Sequence, residues 1–172
     1  MMMKMLEAGG VEPFVDHQRE ADADNPKGYY EFEKVKEMAE DASWIVEARG
    51  NALKVISALL KDLPPNETYK VIFMRRKMNE ILASQKKMLD RRGEEANKVS
   101  DKQLSQRFMK HLTQINFWLE KQSNFEVAFI NYNDMLENPA RNVAKIKSFL
   151  GESMDDAKML AVVDPQLYRQ RG

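Results

Sequence analysis

Apolar and polar positions along this chain follow two periods. Three short runs, Ala52–Ile56 (ALKVI), Tyr69–Met74 (YKVIFM) and Phe125–Ile130 (FEVAFI), are almost continuously apolar and rich in strand formers. Runs of that length and composition fit strands covered on both faces. Elsewhere the apolar positions recur at helical spacing: Met78, Ile81, Leu82, Met88 and Leu89; Leu104, Phe108, Leu112, Ile115, Trp118 and Leu119; Val143, Ile146, Phe149 and Leu150. The second of these helices has a clear start, because Ser100 with Gln103 three residues on forms a capping box. The third starts on Asn138–Pro139 and stops at Gly151. Shorter helical stretches are expected at Met1–Ala8, ended by Gly9 or Gly10, within Lys34–Ala48 around Trp44, and from Met154 to Val163.

Strands separated by helices predict an α/β layered domain with a mainly parallel sheet. Right-handed crossovers would then set the carboxyl ends of the strands, with Ser57, Arg76 and Asn131, along one edge. At 172 residues and 20.0 kDa the chain reads as one domain, residues 1–172.

Composition narrows the partners. Basic and acidic residues number 27 each, so no overall charge points to nucleic acid or an anionic membrane. There is no cysteine, which excludes disulfides, thiolate metal sites and cysteine nucleophiles and leans toward a cytoplasmic setting. No apolar run approaches the length of a membrane span, and MMMKMLEAGG lacks a signal peptide's apolar core.

The chemistry concentrates where the strand at 69–74 becomes the helix from Met78. Arg75 and Arg76 stand at that join, beside a helix start whose backbone N–H groups and dipole favour a phosphate. This segment resembles the 3′-phosphate-binding motif of sulfotransferases that use 3′-phosphoadenosine 5′-phosphosulfate, in which a strand ends in an arginine and a serine follows eight positions later. Arg76 and Ser84 occupy those two positions. Asn131–Gly151 (NYNDMLENPARNVAKIKSFLG) is similar to the family's strand, "Y-x-D" turn and helix closed by "F-L-G", and Asn25–Glu31 (NPKGYYE) to an early loop of its bacterial members.

The resemblance implies a three-layer fold like that of P-loop NTPases, a nucleotide sulfuryl donor, and a small-molecule or glycan acceptor presenting a hydroxyl or amine. It also implies a strand and glycine-containing phosphosulfate loop ahead of Met1, because the chain opens at a position matching the interior of the family's first helix. Arg169 and Arg171 in the tail stand where some members contact the 3′-phosphate, although a solvated basic terminus accounts for them equally well.

No residue qualifies as the base. The cytosolic members' "K-T-H-L-P" histidine falls near Ser57 here, and a serine acts as a base only when something activates it. Either the base comes from elsewhere, for instance a carboxylate, or this branch handles a different acceptor. Lys54 could steady sulfuryl charge, but a lysine snorkelling from a strand end is the commoner arrangement. His17 reads as an exposed loop histidine, His111 as a structural residue beside a helix stripe, and Glu20, Asp22 and Asp24 as a solvated face. Two other readings stay open: a fragment or pseudoenzyme without transfer activity, and a helical interaction protein, which would have no use for Arg76 and Ser84 together.

Overall fold

The computed structural model describes residues 1–18, 28–92, 100–151 and 153–164. Two strands, β1 (Tyr69–Arg75) and β2 (Phe125–Asn131), pair in parallel with Tyr69 opposite Phe125 and Arg75 opposite Asn131. Between them run the helices α2 (Met78–Arg92) and α3 (Asp101–Leu119), the crossover that a parallel pair needs.

Alternate side chains of this sheet feed two cores. Phe73, with Tyr69, Val71, Val127 and Phe129, packs into a cluster with Trp44, Leu60, Leu63, Ile115 and Leu119. Ile72, Met74 and Ile130 face the opposite way, into Met5, Met135, Val143, Ile146 and Met159. The two-residue period of a strand thus divides the molecule into halves, each with its own apolar interior.

The capping box of α3 forms as its sequence dictates, with the Gln103 amide donating to Ser100 Oγ and the Ser100 amide to Gln103 Oε1. The second core is closed by α1 (Met2–Ala8), α4 (Tyr132–Glu137), α5 (Pro139–Leu150) and α6 (Asp156–Ala161). Gly9 lets α1 and α6 meet: a Cβ there would lie 2.8 Å from Met154 and 2.9 Å from Met159, and the Gly9 carbonyl accepts from the Asp155 amide. The Lys34–Ala48 stretch forms two 3-10 helices, Glu33–Glu37 and Ser43–Ala48, with Trp44 buried between Phe14 and Phe32.

One expected strand is absent. Ala52 makes a single bridge, to Pro13, and residues 53–56 carry no strand pairing; a further 3-10 helix, Ser57–Asp62, follows at once. The physical reason is the lack of a neighbour. The Ala52 amide and carbonyl are taken by Glu12 and Phe14, and Ile56 is 61% exposed, so the run stays extended without entering the sheet. The observed architecture is a mixed helix and strand domain with a small parallel sheet. Among the described residues no helix is long and apolar enough to cross a membrane. A break in the helical pattern that the sequence suggests at Gly93–Asn97, together with Glu20, Asp22, Asp24, the first part of Asn25–Glu31, and Arg169 and Arg171, lies outside the described residues.

Candidate functional site

The carboxyl ends of β1 and β2 bring together a cluster of polar side chains. Arg76, just past the end of β1, lays its guanidinium 4.7 Å from the ring of Tyr132, the first residue of α4. Its Nε donates to Glu80 Oε2 at 2.7 Å. Glu80 is 1% exposed, and its other oxygen accepts from Asn133 Nδ2, also at 2.7 Å. A nearly buried carboxylate therefore sits behind the arginine, held by groups from both strand ends. The pair engages Nε alone, so it orients the guanidinium without occupying its terminal nitrogens.

Arg75 takes the other direction, stacked 3.7 Å over the Phe129 ring. The two adjacent arginines are thus separated by the pleat: one covers the sheet and the other turns into the polar cluster. Ser84 is exposed on α2, four residues after Glu80 and eight after Arg76. Glu80 stands off the apolar positions Met78, Ile81 and Leu82, yet the structure places it inward. The only local signal was its position four residues beyond Arg76.

The turn after β2 is organised by Asn131, whose Oδ1 accepts from the amides of Asn133 and Asp134 and caps α4. Asp134, the acid of the "Y-x-D" segment, points away from Arg76. It accepts from Arg141 Nη2 at 2.6 and 2.7 Å, from Asn142 at 2.7 Å and from Asn138 at 2.9 Å. The Arg141 guanidinium first, then the two amides, hold its carboxyl far below the ordinary carboxylate value. Its role is to fasten α4 to α5 and so to set the position of Tyr132. Burial pushes the Tyr132 phenol above its usual range, with Arg76 opposing and Glu80 adding to the shift.

Beside β1 opens a cleft of about 930 Å3. Its lining includes Tyr69–Met74 of β1, a wall from Gly50–Val55 with Ser57, and Met1–Lys4, Tyr30 and Tyr132. Lys54 lies in this wall, where its Nζ donates to Glu31 Oε1 at 2.9 Å and to the Tyr29 carbonyl at 3.0 Å. It is therefore a tether for the loop at residues 28–31 rather than an unoccupied cation. Tyr30, at a positive φ of 53°, donates its hydroxyl to Glu7 of α1; burial and that carboxylate raise its pKa to about 12. His17 is exposed, as its loop position suggested. His111 is not merely packed beside its stripe: Nε2 lies 2.9 Å from Ser57 Oγ. Sequence reading considered each of these two residues without connecting them.

The chain matches the family model described as "Sulfotransferase domain" over residues 54–166, a span that contains β1, Arg76, Ser84 and the whole of β2 to α6. No curated protein and no solved structure matches it. Because the matched span exceeds half of the chain and includes both strand ends, the protein belongs to the sulfotransferase domain family.

Proposed function

We propose that this protein is the nucleotide-holding part of a sulfotransferase whose donor is 3′-phosphoadenosine 5′-phosphosulfate and whose acceptor carries a hydroxyl or amine. Arg76 and Ser84 bind the donor's 3′-phosphate in this reading. The observation that carries it is the posture of Arg76, aimed by Glu80 through Nε and laid on Tyr132 at the carboxyl end of a parallel strand. A guanidinium so held offers its terminal nitrogens as a fork, which matches phosphate geometry better than a point charge does. Ser84, exposed on α2, adds a neutral donor in this reading.

A larger, three-layer domain is part of the proposal. In the parallel register the Tyr69 amide bonds the Asn124 carbonyl, so Tyr69, Val71, Phe73 and Arg75 direct their backbone groups to β2. Lys70, Ile72 and Met74 direct theirs into the cleft, where no described strand pairs with them. An open edge bordering a cleft supports a further strand at that place, followed by a loop that would hold the phosphosulfate.

The test is calorimetric titration of adenosine 3′,5′-bisphosphate and adenosine 5′-phosphate. Wild type should prefer the bisphosphate, and Arg76→Ala should lose roughly ten- to a hundredfold of that affinity, the equivalent of a charge-assisted bond of about 1.5 to 3 kcal/mol. Arg76→Lys should weaken it less and Ser84→Ala less again. Equal affinity of wild type for the two nucleotides, or an Arg76→Ala protein that still discriminates, would refute the assignment.

A further inference from the structure

The polar pair formed by Ser57 and His111 has no part in the nucleotide site just described. Ser57 opens the 3-10 helix Ser57–Asp62 and lines the cleft, whereas His111 belongs to the middle of α3, which packs on that 3-10 helix. They are 54 positions apart in sequence, and only the tertiary fold brings Nε2 within 2.9 Å of Oγ. Both side chains are partly buried, with Leu60 beneath the serine and Leu112 and Ile115 flanking the histidine in the same apolar cluster.

Two further observations make this contact more than packing. Ser57 lines the cleft and His111 does not, so the ring nitrogen meets the serine from outside the cleft lining. The same cleft reaches Tyr132, the residue on which Arg76 rests, so Ser57 shares its cavity with the end of the sheet assigned to the nucleotide. A serine hydroxyl is a poor base by itself. A neutral imidazole nitrogen accepting its proton is the standard way of making its oxygen a proton acceptor or nucleophile.

We propose that Ser57 and His111 form a proton relay serving the acceptor end of the cleft, with Ser57 touching the acceptor and His111 positioning and deprotonating it. The inference rests on the sulfuryl-transfer reading above. In the step it supports, the acceptor oxygen forms a bond to the sulfur of the donor. The bond from that sulfur to the bridging phosphate oxygen breaks, and adenosine 3′,5′-bisphosphate leaves with the electron pair. The acceptor's proton passes to Ser57 Oγ as the serine's own proton passes to His111 Nε2, leaving an imidazolium. The relay requires that Nε2 accept and the hydroxyl donate, a choice that a purely structural hydrogen bond leaves open.

Two measurements on this chain, neither of which uses the nucleotide, test the proposal. The first is the ring-nitrogen NMR spectrum of the neutral protein, simple because the chain has only two histidines, His17 and His111. It should show His111 protonated on Nδ1 with Nε2 as acceptor, and Ser57→Ala should shift that Nε2 resonance. A His111 ring protonated on Nε2 would overturn the relay. The second is reaction with phenylmethanesulfonyl fluoride, in which Ser57 Oγ bonds to sulfur, fluoride leaves and the proton goes to His111. Peptide mass mapping should place the adduct on Ser57, and His111→Gln should slow its formation about a hundredfold or more. Absence of an adduct on Ser57, or equal rates in wild type and a folded His111→Gln protein, would also overturn it. Loss of nucleotide preference in the titration above leaves both readouts unchanged, so the two readings fail separately.

Discussion

Arg76 shows how the posture of one side chain depends on its neighbour. Its guanidinium has rotatable bonds to spare, and fixing it on Tyr132 requires a partner that will not move. Glu80 provides this because it is nearly buried and held by Asn133 from the other strand end. Removing it should therefore act on stability as well as on binding. Glu80→Ala is expected to lower unfolding stability by about 1.5 to 3 kcal/mol, the range for a hydrogen bond to a charged group, as read by urea denaturation. An effect within error would mean that Arg76 finds an equal partner in water.

At this scale the sequence was partly legible. The position of Arg76 at a strand end was readable, but the inward turn of Glu80 and the Ser57–His111 contact were not. Burial of one helical carboxylate, and proximity across 54 positions, depend on how helices dock. No local pattern encodes that.

Elements were more legible than contacts. The capping box at Ser100, the Asn138–Pro139 start of α5 and the apolar runs at β1 and β2 are local signals, and each element formed where its signal lay. The run at 52–56 failed for a different reason: a strand is completed by its neighbour, and an apolar extended segment with only one bridging partner remains a wall rather than a strand.

The join of α4 to α5 depends on Asp134, and its energetics carry a sign. Hydrogen bonds from Arg141, Asn142 and Asn138 depress the folded carboxyl's pKa below the value of an unfolded aspartate, about 3.9. A depressed folded value means that the contribution is complete above the unfolded value and is lost as pH falls through the folded one. Thermal melts should show wild type more stable than Asp134→Asn near neutrality. The gap should narrow only in acid, below about pH 4. A gap constant down to pH 2 would separate Asp134's role from its charge.

On the scale of the whole molecule, the sheet is a thin partition between two cores, and the two sides of β1 are unlike. The edge of β1 that meets β2 is sealed by the ladder, and the other borders the cleft. Because a strand's backbone groups alternate sideways just as its side chains alternate up and down, each residue of β1 belongs to one border or the other. Deuterium should therefore enter β1 in a comb. The amides of Lys70, Ile72 and Met74 should exchange early through local access from the cleft, and those of Val71, Phe73 and Arg75 only with larger openings of the sheet. Uniform protection along β1 would show that the exposed border is covered in solution; the comb would give a residue-by-residue clock for anything that later fills it.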